Sequence, residues 1–90
     1  MRISESVRAM FNKDGGILLE INHGKMFSLN VVGSRILEML QRGCSEGQIA
    51  NEIRQEFGLT QDVAQEDVHE FLESLRKNHL LHANGSMGRL

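Results

Sequence analysis

The spacing of apolar residues changes once along the chain, between Leu29 and Asn30. Before this point apolar and polar residues alternate, which is typical of strands that bury one face. After it apolar residues recur every three or four positions, which is typical of amphipathic helices. The sequence therefore predicts an α+β domain in which the strands come first and the helices follow.

Three short strands are expected before the change, at Val7–Asn12, Ile17–Asn22 and Lys25–Leu29. The first turn is predicted at residues 12–16, because Asp-Gly and Gly-Gly supply the positive φ that tight connections need. His23-Gly24 predicts the second turn. Tight turns between consecutive strands indicate a three-stranded antiparallel sheet.

The two ends of the chain carry weaker signals. Residues 1–6 are polar and are expected to be loose, whereas Leu80-Leu81 could return to the sheet as a short extension. Residues 1–83 are interpreted as a single domain and residues 84–90 as a disordered tail.

Three helices are predicted after the change. Asn30 is a good N-cap for the first, Ser45 and Gln48 form a capping box for the second, and Thr60 can cap a third that runs to about Asn78. Gly43 and Gly58 supply left-handed ends for the first two helices. A three-helix cluster against a small sheet resembles a winged helix-turn-helix.

Net charge, cysteine content and the length of apolar runs limit the classes of function that the chain can have. The net charge is −2, so we expect no general attraction to nucleic acid or to an anionic membrane. The chain has one cysteine, Cys44, which cannot form an internal disulfide. No apolar run approaches the roughly 20 residues that span a bilayer, and no signal-peptide pattern is present. A cytoplasmic protein is therefore expected.

The ordered set of these motifs resembles the PqqD-like family, also called the recognition element for precursors of ribosomally made, modified peptides. The resemblance runs from about Gly16 to Leu81. The matching residues are Gly16-Ile17-Leu18-Leu19, Phe27-Ser28-Leu29-Asn30 with Gly33, Ile36 and Leu37, Gly43-x-Ser45 with Ile49 and Ile53, Asp67-Val68-x-x-Phe71-Leu72-x-x-Leu75, and Leu80-Leu81.

The resemblance implies a non-catalytic protein that binds the leader segment of a precursor peptide. The leader adds a strand to the third predicted strand, in the groove against the third helix, and is presented to a modifying enzyme, often a radical S-adenosylmethionine enzyme. The proteins of pyrroloquinoline quinone biosynthesis in this family tend to carry a Trp just after the third helix. This chain has Asn78-His79 there instead. This departure favours another peptide pathway.

The residue pattern suggests which side chains would contact the peptide. The last predicted strand has no Pro and one charge, so its edge is sparsely protected. On the third helix the apolar Val63 lies beside the core stripe among polar residues, a pattern that fits a groove wall and equally a frayed first turn with a solvated face. The predicted peptide-binding residues are Lys25, Met26, Phe27, Ser28, Leu29, Val63, Asp67, Glu70, Phe71 and Ser74.

Two other interpretations, a DNA-binding protein and a structural domain, remain open from the pattern alone, whereas an enzyme is not expected. A winged-helix DNA-binding protein is disfavoured by the acidic third helix, which carries Asp62, Glu66, Asp67, Glu70 and Glu73. A structural domain could dimerise through the same strand edge. An enzyme is disfavoured because Cys44 has no His assigned near it and His79-x-x-His82 supplies only two metal ligands. We expect no catalytic residue, no metal site and no cofactor.

Overall fold

The computed structural model describes residues 2–82. A three-stranded antiparallel sheet is followed by three helices, which confirms the predicted fold class. The predicted tail at residues 84–90 lies outside the described residues. The elements are β1 Arg2–Ile3, β2 Val7–Asn12, β3 Gly15–Glu20, β4 Lys25–Leu29, α1 Val31–Gln41, α2 Glu46–Phe57, α3 Gln61–Lys77 and β5 Leu81–His82.

The main sheet has the order β2-β3-β4, so the third predicted strand is β4 at one edge. Leu18 at the centre pairs with Ala9 of β2 and with Phe27 of β4. The expectation that residues 1–6 are loose is wrong, because Arg2 and Ile3 pair with β5 in a separate two-stranded ladder. The short strand after α3 therefore joins β1 rather than the main sheet.

The glycines at residues 15 and 16 lie inside β3, so the prediction that they form the first turn is wrong. The turn is confined to Lys13 and Asp14, since Asn12 pairs directly with Gly15. A Cβ on Gly15, where φ is 142°, would collide with the carbonyl oxygen of Leu29. The glycine serves the close approach of the chain that leads into α1.

The helix ends follow the predicted capping signals. Asn30 Oδ1 accepts a hydrogen bond from the Gly33 backbone N–H at 2.7 Å. The Ser45–Gln48 capping box is complete, and Thr60 caps α3. α2 ends at Gly58 with φ of 66°. Local capping therefore sets the starts of all three helices and the end of α2.

The core lies between the helices and one face of the main sheet. Its largest fully buried side chains are Leu18, Ile36, Leu37, Ile49, Ile53, Leu72, Leu80 and Val68. α1 is the helix that packs on β3 and β4, while α3 packs mainly on α2 and β5. Because α3 is not pressed onto the sheet, space remains between it and β4.

Candidate functional site

The outer edge of β4 has no partner strand among residues 2–82. The Ser6 carbonyl accepts a hydrogen bond from the Ile21 N–H at 2.9 Å, which fixes the alternation of backbone groups across the sheet. Because Ile21 faces β2, the backbone groups of Leu18 face β4. Leu18 pairs with Phe27, so the N–H and C=O groups of Phe27 point toward β3. The N–H and C=O groups of Met26 and Ser28 are therefore left at the free edge.

A groove of about 280 Å³ adjoins this free edge. We call it the central groove. Its walls come from β4, from the start of α1 and from the C-terminal half of α3. Its lining is Leu18, Phe27, Ser28, Leu29, Asn30, Gly33, Phe71, Ser74, Leu75, Asn78 and Leu80. A largely apolar groove beside free backbone groups suits an extended peptide whose alternate side chains enter it.

Gly33, near the start of α1, leaves room for the ring of Phe71 in the wall of the central groove. A Cβ at this position would lie 3.0 Å from Cε1 of Phe71 and 3.3 Å from Oδ1 of Asn30. The ring of Phe71 therefore packs close to the helix backbone. The predicted site did not include Gly33, although a glycine inside a helical pattern is a signal for close approach.

Two recesses adjoin the ends of the central groove. The acidic recess shares Asn30, Gly33 and Phe71 with it and contains Asp67 and Glu70. The polar recess shares Asn78 with the central groove, and its remaining lining is Ser4, Ser6, Glu20, Asn22, His23, Lys25 and His79. The two recesses place different charges at the two ends of β4.

Glu20 is buried in the polar recess and organises the turn before β4. Its carboxylate accepts hydrogen bonds from the backbone N–H of His23 at 2.7 Å and of Asn22 at 3.3 Å. The Nδ1 atom of His23 lies 2.9 Å from Oε1 of Glu20. A hydrogen bond from the Ser6 side chain, followed by those from His23, lowers the pKa of Glu20 from 4.5 to about 2 against the opposing effect of burial.

The structure brings most of the predicted peptide-binding residues together. Met26 contributes only backbone groups, because its side chain points to the outer face of the sheet and is 65% exposed. Val63 is 44% exposed and lines neither the central groove nor either recess. The others line the central groove (Phe27, Ser28, Leu29, Phe71, Ser74), the acidic recess (Asp67, Glu70) or the polar recess (Lys25).

Metal-binding groups, the free thiol and the hydropathy of the helices bear on other kinds of site. No group of three or more His, Cys, Asp or Glu able to hold a metal ion occurs within residues 2–82. Cys44 is a half-buried free thiol between α1 and α2. No helix of this described part is long and apolar enough to cross a membrane. The groove along β4 is therefore the candidate functional site.

Comparison with solved structures gives two matches that cover nearly the whole chain. The first, described as TbiB1 in complex with the TbiA(beta) leader peptide, has a TM-score of 0.85 and 31% identity over 93% of this chain and 100% of that one. The second is a lasso peptide synthetase B1 complexed with the leader peptide, with a TM-score of 0.82 and 22% identity over 91% and 96% of the two chains. The second likeness shows the fold alone.

Comparison with curated protein sequences gives no match. The family model described as coenzyme PQQ synthesis protein D (PqqD) matches residues 15–81. This segment begins at β3 and ends at β5, so it contains β4, α3 and the whole central groove. The chain belongs to the PqqD family.

Proposed function

We propose that this protein binds the leader segment of a ribosomally made precursor peptide and presents it to a modifying enzyme, without catalysing the modification itself. The observation that carries the proposal is the free edge of β4, which opens directly onto the apolar central groove. TbiB1, a relative of 31% identity, is described in complex with a leader peptide, which supports a leader as the ligand.

In this proposal the leader binds as a fourth strand. Its backbone pairs with the groups of Met26 and Ser28, and every second side chain enters the central groove toward Phe71. Each hydrogen bond contributes about 0.5–1.5 kcal/mol net. Apolar burial in the groove adds to this, so a short segment suffices for specific binding.

The acidic recess favours a basic side chain at one end of the leader. Asp67 and Glu70 line it beside Phe71, and α3 carries no Lys or Arg until Arg76. A Lys or Arg of the leader near these carboxylates would gain a modest attraction, since both groups are near solvent. The same acidic helix disfavours DNA as the ligand, because phosphates would be repelled.

The modifying enzyme remains the partner to be identified, and a radical S-adenosylmethionine enzyme is the candidate that the family suggests. We propose no cofactor for this chain itself. A second copy of the chain is a competing occupant of the β4 edge, because an unpaired edge also accepts an identical strand. A leader that converts a dimer to a monomer on size-exclusion chromatography would show that both use this edge.

The proposal is tested with leader peptides of precursors encoded beside this gene. Titration into 15N-labelled protein should shift the amide signals of Lys25–Leu29 and of the α3 residues that line the groove. Peptides N-methylated at one backbone position at a time should then lose affinity at every second position of the segment that pairs with β4, because only alternate amides face β4. Shifts confined to the outer faces of α1 and α2, or a loss without this alternation, would refute strand addition.

A further inference from the structure

The polar recess is lined by two exposed basic side chains, Lys25 and His79. Lys25 stands opposite Glu20 in the β3–β4 pairing, yet the Glu20 carboxylate is turned to His23 and to the backbone of the turn. Within residues 2–82 the Lys25 ammonium and the His79 imidazole make no hydrogen bond or ion pair. Both groups are exposed donors at one end of the groove.

His79 occupies its position at a conformational cost. Its φ is 61°, the only positive value for a non-glycine residue in the described part of the chain. The Leu80 N–H bonds to the Leu75 carbonyl at 2.8 Å and the His79 N–H to the Arg76 carbonyl at 3.0 Å. This is the helix ending in which glycine is the usual left-handed residue. A histidine here costs stability that a glycine would not, which suggests that its side chain has a use.

The side chains that line the polar recess offer more hydrogen-bond donors than the carboxylate there can accept. The single carboxylate, Glu20, is already satisfied by backbone N–H groups and by its partner His23. Lys25 and His79 therefore line this end of the groove with no hydrogen-bond acceptor from the described part of the chain. At the opposite end the acidic recess presents Asp67 and Glu70. β4 has five residues, so the two ends are separated by about 17 Å of extended chain.

We propose that Lys25 and His79 form an anion-binding end of the groove that takes the carboxylate of an Asp or Glu in the bound peptide. Together with the acidic recess, which takes a Lys or Arg, this end fixes the direction and the register of the peptide along β4. The inference rests on the proposed function, since it concerns a peptide that lies in the same groove. It adds the charge pattern that the peptide must carry.

The first experiment is a selection from a displayed library of random 12-residue peptides on the full chain. Wild-type protein should enrich sequences with Asp or Glu about five positions from Lys or Arg, with apolar residues at alternate positions between them. If no sequence is enriched, the proposed function fails and this inference fails with it. If apolar alternation is enriched without an acidic preference, only this inference is overturned.

The second experiment uses one selected peptide and its counterpart in which Gln replaces the acidic residue. Wild-type protein should bind the acidic peptide about threefold more tightly, a ratio that corresponds to an exposed charge pair. The double variant Lys25→Gln/His79→Gln should bind both equally. Lys13→Gln, an exposed change in the β2–β3 turn, is the matched control and should keep the preference. An unchanged preference in the double variant overturns the assignment.

The third experiment separates a binding role of His79 from a structural one. His79→Gly should raise Tm by about 3 °C, because glycine adopts positive φ freely. The same variant should bind the acidic peptide about twofold more weakly, with unchanged affinity for the Gln counterpart. A higher Tm with unchanged affinity for the acidic peptide would remove His79 from the site.

Discussion

The two outer edges of the main sheet, β2 and β4, differ in how their backbone groups are satisfied. By the alternation set at Ser6, Val7 faces away from β3. Its N–H bonds to the Ser4 carbonyl at 3.1 Å, and its carbonyl accepts a hydrogen bond from the Arg8 guanidinium at 3.0 Å. At β4 no such partner from residues 2–82 covers the backbone groups of Met26 or Ser28, and a groove adjoins them. The sheet thus protects the start of one edge and leaves the other open.

The largest effect on peptide affinity should come from removing one backbone N–H at the free edge of β4. Ser28→Pro deletes an N–H at the free edge of β4, where proline is tolerated because the β3 ladder is not involved. Peptide affinity should fall by about 2 kcal/mol, roughly thirtyfold, since the peptide carbonyl is left unpaired. Isothermal titration calorimetry measures the change.

Two variants control for the proline substitution. Ser28→Ala keeps the N–H and should bind as the wild type does. Ala9→Pro deletes the equivalent outward N–H on β2, because Ala9 lies two residues after Val7. Loss of binding in Ala9→Pro while the fold is retained would contradict the assignment of the peptide to β4.

A second change should make the β2 edge resemble the β4 edge. Arg8→Ala removes the donor to the carbonyls of Val7 and Glu5, which lie 3.0 and 2.9 Å from its guanidinium. The free energy of unfolding should drop by about 1 kcal/mol, and self-association should rise because a second edge is exposed. Urea denaturation and sedimentation velocity measure these effects. Lys13→Ala is the control, and equal behaviour of the two variants would refute the protective role of Arg8.

Acid should lower the stability of the fold through Glu20, the last residue of the central strand β3. The pKa of Glu20 is lowered to about 2 by its bonds to Ser6 and His23, so ionisation of this group stabilises the fold fully above about pH 4.5. The contribution is lost as the pH falls through about 2. Glu20→Gln should flatten the dependence of stability on pH between these values, as followed by thermal unfolding. An unchanged slope would show that other carboxylates dominate.

The smallest effect should come from the acidic recess. The double variant Asp67→Lys/Glu70→Lys should weaken a basic leader about threefold, because both carboxylates are near solvent. Glu66→Lys, on the same helix but outside the groove, is the matched control and should have no effect. Unchanged affinity in the double variant would refute the binding of a basic side chain by the acidic recess, but it would not contradict strand addition at β4.

The elements that the sequence predicted well have local signals. β4 and the three helices begin and end where turns and capping residues indicate, because each cap bonds within its own segment. The β1–β5 ladder was missed because it joins two-residue strands from opposite ends of the chain. No local pattern encodes such a pairing.

The alternation in β3 identified two faces but not which one is buried. The face with Ile17 and Leu19 is the exposed one, at 42% and 38%, while Leu18 and Glu20 face the core. A buried glutamate is explained only by the turn that it holds. Similarly, Gly33 belongs to the site only through the ring of Phe71, which packs against it from another helix. These features depend on tertiary contacts that periodicity does not contain.

The β1–β5 ladder has a consequence for how the groove opens. It consists of two residue pairs and is supported by the bond from the Ser4 N–H to the Leu80 carbonyl at 2.9 Å. Because so short a ladder has few hydrogen bonds, we expect its amides to exchange with solvent early. Because Leu80 lines the groove, unzipping would loosen one wall while the helices stay folded. If the β1–β5 pairing opened, the groove wall at Leu80 would therefore gain freedom that the walls formed by the helices do not have.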